Sequence, residues 1–242
     1  MAVHIGTSGW SYDHWEGVLY PHALHPRARL GLYTRHFQTV ELNSSFYKWP
    51  RDATLARWGA SLPRQFVMTV KAPRALTHAA RLYKPERWVE RVKRGLQLLG
   101  ERRGVLLVQL PPTLAYDLPR LGYFLSIWPS SLRTAFEFRH TSWHREETFL
   151  LLEEHGAAYC VMSGARLPCV LRSTAPFVYA RLHGPDHKHM CAGSYPDADL
   201  YWWAGRIGEW AMTGKEVYVY FNNDGEGNAV RNAARLKHII GH

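Results

Sequence analysis

Long apolar runs are missing from this sequence. Nowhere do about 18 uncharged apolar residues follow one another, so a membrane-spanning helix is excluded. Cysteine is scarce: Cys160, Cys169 and Cys191 make three, an odd number without a CxxC spacing. That fits a reducing cytoplasm better than a disulfide framework. No GxSxG elbow, HExxH or Cys–His signature is present, which disfavours serine, cysteine and zincin hydrolases. A Walker A loop is absent too, and neither Gly6-Thr7-Ser8-Gly9 nor Asp224-Gly225-Glu226-Gly227 is a dinucleotide fingerprint. The opening Met-Ala-Val-His-Ile-Gly-Thr-Ser reads as a strand, with no charged n-region or apolar h-region. A secretory signal is therefore not expected, and a cytoplasmic location is.

Acid is also in short supply. Asp plus Glu number 20 against 30 Lys plus Arg, a net charge of +10. This excess, mostly arginine, favours anionic partners: nucleic acid, phosphorylated metabolites or acidic surfaces. A generally basic exterior gives the same figure.

What the sequence does have is 242 residues, 46% of them hydrophobic, enough to bury a full core. No linker, charge block or low-complexity tract divides them. Short β-branched or aromatic runs at 3–7, 39–43, 66–71, 105–109, 134–139, 157–162, 177–183 and 216–222 read as eight strands. Amphipathic stretches at 27–37, 54–60, 85–99, 118–128, 146–155, 197–212 and 229–240 read as helices. The connection after 157–162 is short, contains Pro168 and has little periodicity. Strands alternating with helices over about 250 residues predict an α/β fold, a single (β/α)8 TIM-type barrel spanning 1–242. An open doubly wound sheet is the runner-up.

Within the strands, one parity is apolar throughout, for example Val40 and Leu42, Met68 and Val70, Phe136 and Phe138. These residues are expected under the helices. The other parity carries Glu41, Asn43, Lys71, Gln109, Glu137, Arg139, Arg181, His183 and Asn222. They are expected to converge on the barrel axis toward the strands' C-terminal ends. Unpaired buried charge is costly, so these groups must pair, reach water or bind something.

Glu137 and Arg139 share one strand face, a carboxylate for proton transfer or a metal beside a guanidinium for an anion. The structural alternative is an ion-pair network joining them to Lys71, Arg181 and Glu41. Arg181 ends the seventh strand, where barrels commonly hold phosphate, and His183 can transfer a proton near neutral pH. Lys71 is a candidate nucleophile. The catalytic candidates are thus Glu41, Glu137, His183 and Lys71. Arg139 and Arg181 are candidates for holding the anion, Asn43, Gln109 and Asn222 for hydrogen bonding, and Trp10 and Tyr47 for stacking on a ring. The aromatic loop residues can equally form a hydrophobic rim, and Trp202, Trp203 and Trp210 read as packing residues on a helix. The run His183, His187, His189 and Cys191 matches no structural zinc spacing. No cofactor is required by the sequence, and a single Mg²⁺ or Mn²⁺ stays open.

Several ordered motifs carry a resemblance: Ile5-Gly6-Thr7-Ser8-Gly9-Trp10, Val40-Glu41-Leu42-Asn43-Ser44-Ser45-Phe46-Tyr47, Thr77-His78, Gln109-Leu110-Pro111-Pro112, Glu137-Phe138-Arg139-His140, Tyr179-Ala180-Arg181-Leu182-His183-Gly184 and Phe221-Asn222-Asn223-Asp224. Together they resemble domain-of-unknown-function family 72, the YecE-like proteins, nearly end to end. The resemblance implies a TIM-type barrel and adds His78 to the polar constellation, but implies no activity. It also implies an aspartate near the end of the sixth strand, where this chain has Ser163-Gly164. The function expected from these readings is an enzyme acting on an anionic small molecule or nucleic-acid fragment. A non-catalytic nucleic-acid-binding protein and a metal-dependent hydrolase or isomerase are the alternatives. No membrane partner is expected, and oligomeric state leaves no signal in the sequence.

Overall fold

In the computed structural model, which describes residues 2–186 and 188–241, the predicted alternation becomes eight strands and, among the described residues, seven α-helices. They run β1 (Val3–Thr7), α1 (Pro26–Tyr33), β2 (Thr39–Leu42), α2 (Asp52–Ser61), β3 (Val67–Lys71), α3 (Glu86–Leu98), β4 (Arg103–Leu110) and α4 (Leu118–Ile127). There follow β5 (Thr134–Phe138), α5 (Glu146–Glu154), β6 (Ala158–Ser163), β7 (Phe177–Leu182), α6 (Asp197–Met212), β8 (Glu216–Phe221) and α7 (Asn228–Ile240). The sheet order is β1-β8-β7-β6-β5-β4-β3-β2. A parallel bridge between Ser8 and Glu41, just past β1 and within β2, joins its two ends. This is the connectivity of a (β/α)8 barrel. The short connection after β6 holds no α-helix. Instead Thr174 Oγ1 accepts from the Tyr159 amide at 2.7 Å and donates to the Ala157 carbonyl at 2.7 Å.

The chain resolves into two compact units, one of Met1–Glu41, Val161–Cys169 and Phe177–His242, the other of Leu42–Cys160 and Val170–Pro176. In the first, β8 is paired in parallel with β1 and β7, with Tyr179 beside Tyr218 and Arg181 beside Tyr220. Its apolar parity, Val178, Leu182, Val217, Val219 and Phe221, is buried, as are Leu200, Trp203 and Ile207 of α6 and Ala233 and Leu236 of α7. Asp197 and Asp199 lie in the first turn of α6, where the helix dipole favours carboxylates. Helix α7 stops at Gly241, whose φ of +84° is the left-handed cap that glycine adopts without strain. The opposite parity is filled by side chains that bond to one another: Tyr220 Oη to Thr39 Oγ1 at 2.7 Å, and His4 to Glu216 at 2.7 Å.

In the second unit, β4 pairs with β3 and β5 in parallel, and Gln109 stands beside Glu137. Val89, Val92 and Leu96 give α3 its buried stripe at three- and four-residue spacing. Gly95 on the same helix is a contact requirement, since a β-carbon there would come within 2.7 Å of the Trp49 ring. Asp117 caps α4 by accepting from the Arg120 amide at 3.1 Å. Part of the polar parity is out of solvent as well: Thr69 and Glu137 are buried here, as are Glu41, Arg181 and His183 in the first unit.

Candidate functional site

In the first unit, Glu41 of β2 and Arg181 of β7 meet although β1 and β8 lie between them in the sheet. Arg181 Nη2 is 2.7 Å from Glu41 Oε1. Ser8 Oγ donates to the same oxygen and Tyr179 Oη to Glu41 Oε2, both at 2.5 Å. All four residues are buried. Burial, then the Glu41 charge, pushes the Tyr179 phenol well above its ordinary range, so it stays a neutral donor. Glu41 thereby accepts from Arg181, Ser8 and Tyr179. The Glu41–Arg181 pair is one part of the ion-pair network that the sequence raised as the structural alternative, Glu137 and Arg139 pair separately in the second unit, and Ser8, just past β1, is a member that strand parity gave no reason to include.

Beyond that layer, Asn222 Nδ2 lies 3.0 Å from His183 Nδ1 and 3.2 Å from Cys191 Sγ, and the thiol is 3.8 Å from the ring nitrogen. Sequence reading placed His183 and Asn222 on one strand face and set Cys191 beside His183 only in a histidine-rich run; the thiol arrives on the loop between β7 and α6. His187 lies outside the described residues. Ser163 Oγ accepts from Tyr195 Oη at 3.0 Å, and a β-carbon on Gly164 would stand 2.7 Å from that of His183. Trp10 is half-buried, and its carbonyl accepts from the Tyr20 hydroxyl. Trp15 is fully buried and donates its indole N–H to Asp224 Oδ1 at 2.6 Å, a packing role. Trp202, read as a packing residue, is 47% exposed, because only one side of α6 meets the strands.

The second unit holds a different set. Two-residue periodicity puts Glu137 and Arg139 on one face, and the Arg139 Nε donates to Glu137 Oε1. The carboxylate is fully buried, with Cys160 Sγ 4.0 Å from its other oxygen. Lys71, at the end of β3, is 7% exposed, and its ammonium sits 4.3 Å from the centroid of the Phe46 ring. The Ser45 hydroxyl fixes this corner, lying 2.7 Å from the Leu42 carbonyl and 2.6 Å from that of Lys71.

His78 rides on a single wide π-turn, Ala75–Ala79, which strand and helix periodicity did not predict. Its ring stands edge-on to the same Phe46, with centroids 4.9 Å apart, and its Nδ1 is 2.9 Å from Thr77 Oγ1. Burial lowers its pKa below the ordinary range, and the charges of Lys71, Arg74 and Arg139 lower it further against an opposing effect of Glu137. The half-buried ring is thus neutral near pH 7 and ready to accept a proton. Gln109 is half-buried beside Glu137. Asn43 Oδ1 is a buried acceptor without a hydrogen-bond partner among the described residues. Tyr47 is 79% exposed, its ring edge-on to Phe46. Arg74 is a member of this set that the sequence reading did not assign to it. Among the described residues, no group of three or more His, Cys, Asp or Glu side chains is placed to hold a metal ion. No described helix is long and apolar enough to cross a membrane.

The family model described as "Protein of unknown function DUF72" matches residues 4–242. The chain belongs to the DUF72 family. Among curated DUF72 relatives, the UPF0759 protein YunF of Bacillus subtilis is 25% identical over 98% of this chain and 94% of its own length. The UPF0759 protein YecE of Escherichia coli K12 is 29% identical over 57% of this chain and 48% of its own. A DUF72 structure from Thermotoga maritima superposes with a TM-score of 0.90 at 30% identity, covering 100% of both chains. One from Enterococcus faecalis gives 0.85 at 20% identity, covering 99% of this chain and 96% of its own, a likeness of fold alone. These relatives are of unassigned function, and the fold hosts many chemistries, so function has to be argued from the residues.

Proposed function

We propose that this DUF72 protein is an enzyme that binds a phosphorylated or carboxylated molecule and transfers a proton on it. The observation that carries this reading is the corner in which Lys71 and His78 share the Phe46 ring, 4.3 Å and 4.9 Å from its centroid, with the charges of Lys71, Arg74 and Arg139 acting on the half-buried imidazole and that of Glu137 opposing them. Three cations against one carboxylate leave a surplus that an anion would neutralise. Lys71 and Arg139 hold that anion, Lys71 as a point charge steadied by the Phe46 face and Arg139 as a planar fork. Glu137 is a positioning residue: buried and bonded to the Arg139 Nε, it fixes the plane of the guanidinium. His78 accepts the proton, because an imidazole kept neutral by burial and neighbouring cations is a base at physiological pH. In this reading the Glu41–Arg181 network is scaffold, since its charges are matched internally.

The test starts with inorganic phosphate. Saturating phosphate raises Tm of the parent protein by linkage, and Lys71→Met and Arg139→Gln each remove that increment. A panel of phosphorylated and carboxylated small molecules is then assayed for turnover. His78→Gln lowers kcat at least about a hundredfold on any substrate found. Equal phosphate stabilisation of the parent and both cation variants would refute the proposal.

A further inference from the structure

Adjoining the cluster just described, and sharing Phe46, Arg74 and His78 with it, the second unit carries a groove of about 610 Å³, within the usual range of ligand sites. One wall comes from a single stretch of chain, Phe46, Tyr47, Lys48, Trp49 and Arg51, in which aromatic and basic side chains interleave. The other walls are Arg74 and His78 on the wide turn after β3, and Trp88 with Arg91 one turn apart on α3. The Arg91 guanidinium already lies 5.4 Å from the Trp88 ring centroid, and Tyr47 presents most of its ring to solvent. Trp49 is sunk behind them into the space that Gly95 leaves on α3.

The lining is chemically one-sided. It has Lys48, Arg51, Arg74 and Arg91 but no Asp, Glu, Asn or Gln among the described residues. A neutral sugar would stack on the rings, yet would find no carboxylate or amide to accept from its hydroxyls. An acidic peptide would use the cations but leave the aromatic faces idle. A ligand with flat faces and a phosphate between successive faces uses both. We infer that this groove binds single-stranded nucleic acid, with bases stacked on Tyr47 and Trp88 and phosphates on Arg51, Arg74 and Arg91. With no amide or carboxylate to read base edges, binding is indifferent to sequence. The inference rests on the proposed active site only in naming its substrate class, since Phe46, Arg74 and His78 are common to both; the binding itself does not depend on the chemistry.

The experiment is fluorescence anisotropy of the full chain with a short labelled oligothymidylate across a salt series, beside the phosphate titration described above. Log affinity falls with log salt at a slope of roughly −2 if three phosphates are neutralised. Tyr47→Ala weakens binding about tenfold, as loss of one stacked base does. The double variant Arg51→Ala/Arg91→Ala flattens the slope by roughly 1.4. These side chains are exposed, so the fold tolerates their loss, and phosphate stabilisation is unchanged in the arginine double variant. Oligonucleotide affinity untouched by all three substitutions, or equal affinity for a duplex of the same length, overturns the inference. A parent that answers to phosphate but not to the oligonucleotide defeats the groove and leaves the proposed function standing. If Lys71→Met and Arg139→Gln keep the phosphate response while the oligonucleotide still binds through the groove, the proposed chemistry falls and the binding site survives.

Discussion

Replacing Arg181 with methionine tests the reasoning about the buried network most directly. The substitution keeps length and apolar stem but removes the guanidinium that stands 2.7 Å from Glu41. What remains is a fully buried carboxylate that keeps the Ser8 and Tyr179 hydroxyl donors but has lost the guanidinium. Breaking a buried pair on one side costs about 3–5 kcal/mol, because the surviving ion keeps its desolvation penalty. For a chain of this size each kcal/mol moves Tm by about 2–4 °C, so the expected fall is roughly 6–20 °C. Urea titration at neutral pH reads the free energy, and calorimetry reads the temperature. The double variant Glu41→Leu/Arg181→Met removes both charges and recovers most of the loss, giving a coupling between the two sites well above the error of the cycle. A loss below about 1 kcal/mol in Arg181→Met would mean that Glu41 is effectively hydrated, and the network argument would fail. A double variant that is worse than the sum of the singles would fail it as well.

Two further outcomes follow from groups elsewhere. Burial lowers the pKa of both His78 and His144 below the ordinary 6.5. Each is therefore neutral at no penalty above about pH 6.5, and stability is lost as pH falls from there through the folded-state values, at no more than about 1.4 kcal/mol per pH unit for each histidine. The double variant His78→Gln/His144→Gln flattens urea midpoints between neutral and mildly acid pH, and parallel losses in the parent and the variant would contradict this. At the end of β6, Gly164→Ala forces a β-carbon to within 2.7 Å of that of His183. It is expected to destabilise the chain by about 1–3 kcal/mol and to shift the His183 ring resonances in an NMR spectrum; an unchanged spectrum would show that the loop yields freely.

Much of the fold was legible because strand and helix periodicities are local. Strand β1 and helix α6 span the residues expected of them, 3–7 and 197–212, and the other elements differ at one or both ends by a few residues, where capping and fraying decide. The stretch between β6 and β7 was readable as the irregular crossover from Pro168 and its lack of periodicity. The wide turn that carries His78 was not, since its residues, Ala75 to Ala79, have no pattern of their own; the motif Thr77-His78 pointed to it only through family resemblance.

The sequence by itself determined which side chains face away from the helices, since a strand's alternation settles that residue by residue. It left open which charge answers which. Glu41 and Arg181 are 140 residues apart, and only the closed strand order brings them to 2.7 Å. The neutrality of His78 and the walls of the aromatic groove are tertiary decisions for the same reason. A pKa is set by whatever burial and charge surround the ring, and a groove is made of segments that share no register in the chain. Local periodicity fixes direction; only packing fixes partners.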